Sequence, residues 1–479
     1  MTFRQEYNGC KSFGCANCGV PDLSLYSRSN RLGYDAWHCS ECGAYPPVLV
    51  NEPILALANQ LEQHTFKLDL LPQCHCHCHC HCAKASWQRF GRTTSGSERV
   101  QCRQCKKTTT LINSSKASSN LQPMLDALIS GVPPQTLQQA LGLNHRAFSL
   151  RMEKLAELLN TFSRLFEAQL DFSVLQTRSF LQIARSGFRH DSRSQSSAHI
   201  WTLSTADAKT GYVLLISDNA LMEKDSLPED VQEQSRYRLT KKELAPTEED
   251  VLLQAQKTYD KILNRSQFDQ LGYCDTQHAQ SKEVFLTRPV FAAHAHMQNL
   301  ANYLKSQPPK ALLLEHESFI RGAAITAFTP TVISGSTHLY YCHVASRNVY
   351  DTNNSGKQNM SWWDETWRRV NIENALGKWQ IGLGLLTKKG ELDDSEIHYL
   401  FPTHPDWNSR FWQRYIGWLQ PSYASHLSLA RIQQWQSIYR FFHNFTLCQH
   451  EIKIGSRFIK PSQVTDLVDF INHHSLTSE

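Results

Sequence analysis

Val174-Leu-Gln-Thr-Arg-Ser-Phe-Leu-Gln-Ile-Ala-Arg185 reads as one long strand. A polar loop separates it from a second strand, His199–Ala206, and Lys209-Thr210-Gly211 turns the chain into a third, Tyr212–Ser217. Consecutive strands joined by turns make an antiparallel meander. After a charged, helix-prone stretch over 219–265 the pattern alternates. A helix around Ala293–Lys305 precedes the apolar strand Ala311–Leu314, which ends at Glu315. A helix over Phe319–Phe328 and a strand over Thr337–Val344 follow. Strands interleaved with helices place this region in the α/β class.

Three antiparallel strands, then helix, strand, helix, strand, is the order of an RNase H-like mixed-sheet domain, expected here over residues 171–400. The chain has 479 residues, too many for one ordinary core, so several domains are expected. Its 41% hydrophobic and 19% charged residues describe a folded rather than a disordered protein. Residues 1–120 hold 13 Lys/Arg against 8 Asp/Glu, so the net charge of +5 is concentrated there, on the side expected to face a polyanion. No apolar run is long enough to span a bilayer, and Met-Thr-Phe-Arg-Gln-Glu at the start does not read as a signal peptide. A cytoplasmic protein with no membrane partner is expected, its cysteines reduced and available to metals.

Cys15-Ala-Asn-Cys18 and Cys39-Ser-Glu-Cys42 are the clearest chemical motif. Two Cys-x-x-Cys knuckles complete a tetrahedral sulfur shell, so residues 1–47 read as a structural zinc ribbon. Cys10 is near enough to compete but lies outside the paired spacing. Residues 72–112 read as a second, ribbon-like module. Cys102-Arg-Gln-Cys105 closes it, and Arg89–Val100 is a hairpin turning at Ser95-Gly96. Its other ligands lie in Cys74-His-Cys-His-Cys-His-Cys-His-Cys82, where a three-residue spacing always joins a Cys to a His, as in Cys76/His79 or Cys78/His81. Two structural Zn2+ sites are therefore expected.

Asn113–Asn120 reads as a Ser/Asn-rich linker. Over 121–160 the period turns helical, broken at Gly131 and Gly142, with Asn144 placed to cap a third helix. Helix, tight turn, helix is the order of a helix-turn-helix; a plain three-helix connector is the alternative. The third helix would enter the major groove, with Arg146, Ser149 and Arg151 toward DNA. Arg89, Arg92, Arg99, Arg103, Lys106 and Lys107 cluster on the second module and fit phosphate contact or a solvated face equally. Residues 401–479 form a helical C-terminal region whose tryptophans, with Trp362, Trp363, Trp367 and Trp379, are assigned to packing, as are His294 and His296 to structure.

Arg89–Thr110, Gly131–Leu155 and the strands of Val174–Leu215 resemble bacterial insertion-sequence transposases of the zinc-ribbon, helix-turn-helix, DDE type. The resemblance covers roughly residues 70–345. It implies binding to double-stranded DNA at terminal inverted repeats, a homodimer pairing two element ends, and strand cleavage and transfer by two Mg2+ ions on two Asp and one Glu. The family's first Asp would lie on the first strand, where this chain reads Thr177-Arg178-Ser179. Glu315 replaces the second, and the third is sought on a later helix carrying Asp364 and Glu365. Asp207, Glu315 and Glu365 are the remaining catalytic candidates. A hairpin folded about Asp191–Ser194 would bring Arg178 to an ion pair with Asp207 where a metal would sit. Two readings stay open: a DDE enzyme that uses Mg2+, or a DNA-binding regulator or vestigial element product in which the triad is broken.

Overall fold

The computed structural model describes residues 3–72, 87–185, 197–222, 227–235, 250–263, 285–345, 357–360, 365–388, 390, 392–447, 452–454 and 457–477. The His/Cys run at 74–82, including Cys76, Cys78, His79 and His81, lies outside these residues, as do Trp362, Trp363 and Asp364. The chain divides into two compact units. One joins Met1–Gln63 to Asp171–Gln413, and the other joins His64–Leu170 to Arg414–Glu479. Among the described residues no helix is long and apolar enough to cross a membrane.

The first unit is built on an eight-stranded mixed sheet. Its strands are β1 (Val174–Arg185), β2 (Ser197–Asp207), β3 (Val213–Asp218), β4 (Ala311–Leu314), β5 (His338–Val344), β6 (Lys357–Met360), β7 (Glu365–Asn374) and β8 (Gly377–Leu385). Their order across the sheet is β6-β7-β8-β5-β4-β1-β2-β3. The meander β1-β2-β3 is antiparallel, while β4 runs parallel to β1 with Ala311 opposite Val174, and β5 parallel to β4. Helices Pro289–Tyr303 and Ser318–Ala327 make the two crossovers. All of this follows the order expected from the sequence.

The region after Val344 does not. Glu365, expected on a helix, opens strand β7, and β8 returns antiparallel onto both β7 and β5. Val370 and Ile372 alternate with outward polar residues, and Ile381, Leu383 and Leu385 line the same face of β8, where they are buried. This is the two-residue period of a strand. That face, with Val174, Leu313, Tyr340 and Cys342, packs against Leu400 and Phe401.

The N-terminal segment is part of the same unit rather than a detached module. Asn8 exchanges hydrogen bonds with Leu49, and the Tyr7 N–H donates to Asn51, which opens helix Asn51–Leu61. The Arg4 guanidinium donates to the Thr326 carbonyl at 3.0 Å, and Lys11 Nζ to the Thr326 hydroxyl. Gly19, at φ +68°, lies so close to Thr329 that an added Cβ would stand 2.2 Å from its hydroxyl. Only glycine meets both demands.

The second unit brings helices Ser114–Ile129, Pro134–Ala140 and His145–Glu167 together with Leu429–Phe442 and Val464–Thr477. Its core is aromatic: Phe162 packs on Phe166, Phe441, Phe445 and Phe470. A buried Arg164–Glu167 pair at 2.7 Å, with Arg440 at 3.7 Å from Glu167, satisfies the charges inside it. The expected linker over 113–120 is helix. Asn113 accepts the Lys116 N–H as an N-cap, and Ser119 donates to the Lys116 carbonyl, so the polar side chains serve the helix that contains them. Trp367 and Trp435 are fully buried and His296 bonds both Thr205 and Ser217 at 2.7 Å, in keeping with structural roles.

Candidate functional site

Two clusters in the first unit carry chemistry. The first is a set of four sulfurs, those of Cys10, Cys15, Cys39 and Cys42, all within 4.8 Å of one another. Cys10 and Cys42 stand 3.5 Å apart, and Cys15 and Cys39 3.8 Å. A tetrahedral shell with Zn–S of about 2.3 Å spaces its sulfurs about 3.8 Å apart, so the four fit a zinc ion. Backbone N–H groups of Ser12 and Asn17 reach the sulfurs of Cys10 and Cys15, as a knuckle requires to stabilise thiolates. Burial raises the Cys10 and Cys15 thiols, the latter to about 11, whereas at Cys39 burial is outweighed by backbone hydrogen bonds from Cys42 and Glu41, which hold its thiol below the ordinary value.

Cys18, assigned to this shell from its spacing, is replaced in it by Cys10. The chain runs Cys10 alongside Cys18 as a parallel bridge, with the Gly19 N–H on the Cys10 carbonyl. Cys18 is buried, its thiol raised by that burial and lowered by the charges of Lys11 and Arg321. Cys102 and Cys105 form a second knuckle: the Lys106 N–H donates to the Cys102 carbonyl, with Lys106 at φ +58°.

The second cluster sits at the C-terminal end of β4, beside the middle of β1. Arg178 of β1 faces Ser204 of β2, and its guanidinium pairs with Asp406, just ahead of helix Trp407–Leu419. Glu315, directly after β4, accepts the Ser179 backbone N–H at 2.7 Å. Burial opposes the charge on Arg178, but Asp406 and then Glu315 more than offset it, so its pKa lies above the ordinary arginine value. Burial also opposes ionisation of Asp406, yet Arg178 and two hydrogen bonds from Ser409 outweigh it and hold the carboxyl below its usual range. The helix is fixed over the sheet by Trp412, which stacks on Phe180 at 4.4 Å and donates to Ser204 at 2.9 Å. Asn408 donates to the Gln176 carbonyl at 2.9 Å.

Arg178 therefore does not pair with Asp207. The hairpin register sets Asp207 opposite Leu175, on the other face of the sheet, where its carboxylate accepts Thr210 N–H and O–H at 2.8 and 2.7 Å. Strand alternation is the reason, since positions 175 and 178 point to opposite faces. Glu365 also lies apart, paired with Arg321 of the Ser318 helix at 3.3 Å. Of Asp207, Glu315 and Glu365, only Glu315 reaches the cluster, and Asp406 is the carboxylate that sequence reading missed. With the Arg178 guanidinium held on Asp406 beside Glu315, these residues do not fit a pair of Mg2+ ions.

In the second unit, Arg146 is exposed and Arg151 half-buried on helix His145–Glu167, which Asn144 caps. Ser149 instead accepts a hydrogen bond from Arg431 at 2.7 Å, so its hydroxyl serves the unit's own packing. On the hairpin, Arg89 is exposed and pairs with Glu98 at 2.8 Å, while Arg92, Arg103, Lys106 and Lys107 are exposed and Arg99 lies 5.6 Å over the Phe90 ring.

No family profile and no curated protein matches this sequence. Among solved structures the chain is similar to a piggyBac transposase, in its synaptic complex with hairpin DNA, at 8% identity and a TM-score of 0.24. The match covers 71% of this chain and 60% of that one, a likeness too slight to say anything about activity.

Proposed function

We propose that this chain is a transposase-like protein of the insertion-sequence type that binds double-stranded DNA sequence-specifically through its zinc-ribbon and helix-turn-helix segments, and that its RNase H-like domain is scaffold rather than catalyst. The Arg178–Asp406 pair beside Glu315 carries the reading. An RNase H-like centre needs carboxylates converging on cations. Here the converging acids already hold a cation of the protein's own, fixed to β1. Support for the domain assignment comes from the strand order, a three-strand meander followed by two strands parallel to the first. Support for DNA binding comes from the capped helix carrying Arg146 and Arg151 and from the exposed Arg92, Lys106 and Lys107. Zinc on Cys10, Cys15, Cys39 and Cys42 would hold the first ribbon's fold, and Cys102 and Cys105 would contribute to a second site.

The test uses the full-length, zinc-loaded chain. Selection from random duplexes is expected to return a defined site, with affinity falling steeply as salt rises because phosphate contacts release counterions. Incubation of that complex with Mg2+ or Mn2+ is expected to leave both strands whole. Metal-dependent nicking lost in Glu315→Gln would overturn the non-catalytic reading. Binding with neither sequence preference nor salt dependence would overturn the DNA-binding one.

A further inference from the structure

The four sulfurs of the cysteine cluster are not alike. The Ser12 N–H reaches the sulfur of Cys10 at 3.4 Å, and the Asn17 N–H that of Cys15 at 3.4 Å. Cys39 takes the Asn17 side-chain amide at 3.7 Å and backbone bonds from Glu41 and Cys42. Among the described residues no N–H reaches the sulfur of Cys42, which stands 3.5 Å from that of Cys10. Hydrogen bonds to a sulfur stabilise its negative charge and lower its nucleophilicity. Cys10 and Cys39 are buried and Cys15 is half-buried, while Cys42 is exposed. Zinc would hold all four as thiolates, the nucleophilic form, so Cys42 is the one both uncovered and unquenched.

Cys42 also borders a cavity of about 440 Å³ within the first unit, lined by the ribbon and by helices Pro289–Tyr303 and Ser318–Ala327. Small-molecule sites span about 300–1,000 Å³. Leu32, Pro46, Leu49, Val290 and Phe319 give it apolar surface, and no Asp or Glu lines it among the described residues. Its cations are engaged. Arg321 pairs with Glu365 at 3.3 Å, Lys11 Nζ donates to the Tyr7 carbonyl and the Thr326 hydroxyl, and Arg288 lies over the Phe291 ring at 5.3 Å. Such a lining suits an uncharged ligand, because an ion entering it would lose hydration without gaining a free counter-charge. His294 lines the cavity too; it is 3% exposed, and its Nδ1 has no hydrogen-bond partner among the described residues. Buried polar atoms are rarely left so.

We propose that Cys42 is a covalent capture site for an apolar, uncharged electrophile seated in this cavity, an α,β-unsaturated carbonyl compound. The Cys42 sulfur forms a bond to the β-carbon as the C=C π bond breaks. The π pair passes to the α-carbon as an enolate, which takes a proton from water and leaves hydroxide. No oxidant or reductant is consumed. His294 would hydrogen-bond the carbonyl. The product is an uncharged thioether in place of a thiolate ligand, so capture loosens the ribbon's metal. The inference rests on zinc filling the cluster and is independent of DNA binding.

The test gives N-phenylmaleimide to the zinc-loaded full chain, with N-(4-carboxyphenyl)maleimide as its charged counterpart. Labelling is read from the mass of the Cys42 peptide, so other thiols do not enter, and zinc is counted before and after with a chromophoric chelator. N-phenylmaleimide is expected to label Cys42 at least about tenfold faster than the charged reagent, and ahead of Cys10, Cys15 and Cys39, with zinc release following. N-phenylsuccinimide, which lacks the alkene, should slow the labelling saturably. Leu32→Asp should cut the advantage of N-phenylmaleimide severalfold; Leu32 is 49% exposed, so the substitution spares the fold. Equal rates for the two maleimides, labelling first at Cys15, or no protection by the succinimide would each overturn the proposal, and none of these needs a variant. A cluster that holds no zinc in the full chain would overturn the zinc reading, and this inference with it.

Discussion

Arg178 gives the clearest case at the residue scale, because its meaning depends on which acid it meets. Its side chain is 25% exposed and that of Asp406 14%, so the pair sits largely out of water. Removing one partner of such a pair leaves the other charge uncompensated, which costs about 3 kcal/mol. Arg178→Ala is expected to lose about that much at pH 7, read as a lower urea midpoint in tryptophan fluorescence. The folded Asp406 carboxyl lies below its ordinary value, so the pair's contribution is present above the usual carboxylate range and fades as pH falls through the lowered pKa. The gap between wild type and variant should therefore narrow in acid; a gap constant with pH would mean that Arg178 acts by packing alone. Glu365 runs the other way. Burial pushes it up to about 8 even with Arg321 at 3.3 Å, and its Oε2 has no hydrogen-bond partner among the described residues. A raised folded pKa contributes stability that is present below the ordinary carboxylate value and lost as pH rises through about 8. Glu365→Gln is expected to flatten the fall in melting temperature between pH 5 and pH 8, a window set by those two values. An unchanged slope would show that the carboxylate is solvated. That Arg178 cannot hold a metal was legible in the sequence. Its partner was not, because Asp406 lies 228 residues away and only the folded sheet brings it near.

At the scale of elements, period and caps were legible where an element is local. β1 and β4 have the bounds that alternation and apolar runs predict, and Asn144 caps the helix it was expected to cap. The misreadings have a shared physical cause. Arg178 lies opposite Ser204, so Asp207 is three residues further along β2 and emerges on the other face of the sheet. Cys18 was assigned by spacing, yet spacing does not say on which side of a knuckle a sulfur emerges. Zinc counting tests that distinction. Cys10→Ser is expected to lower the zinc bound per chain by one equivalent or to weaken that site strongly, whereas Cys18→Ser should retain it. Loss of zinc from both variants to the same degree would return Cys18 to the shell.

For the whole molecule, the sequence suggests beads in order: ribbon, ribbon, helix-turn-helix, sheet domain, helical tail. The chain is instead two discontinuous units, each closed by segments far apart in sequence. The tail could not be placed from its own pattern, because its helices present aromatic faces whose partners lie near residue 160. Phe441 and Phe470 meet Phe162, and Asn472 exchanges hydrogen bonds with Ile112. Likewise the first ribbon is tied to the sheet unit through Arg4, Lys11 and Gly19. Boundaries drawn by composition would cut through both cores. A fragment of residues 64–170 exposes the Phe162 and Phe166 cluster that the tail covers, and burial of each such ring is worth about 2 kcal/mol. It is expected to melt without a cooperative transition, and residues 414–479 added in trans should restore one. A fragment of 171–400 lacks both the ribbon and the segment holding Asp406, Asn408 and Trp412, so it should expose Phe180 and aggregate or bind a hydrophobic dye. Restoring 401–413 and 1–63 should remove the dye signal. Cooperative melting of 171–400 alone would mean that the helix over β1 contributes no net stability, and the Arg178–Asp406 pair would then be decoration on an independent domain.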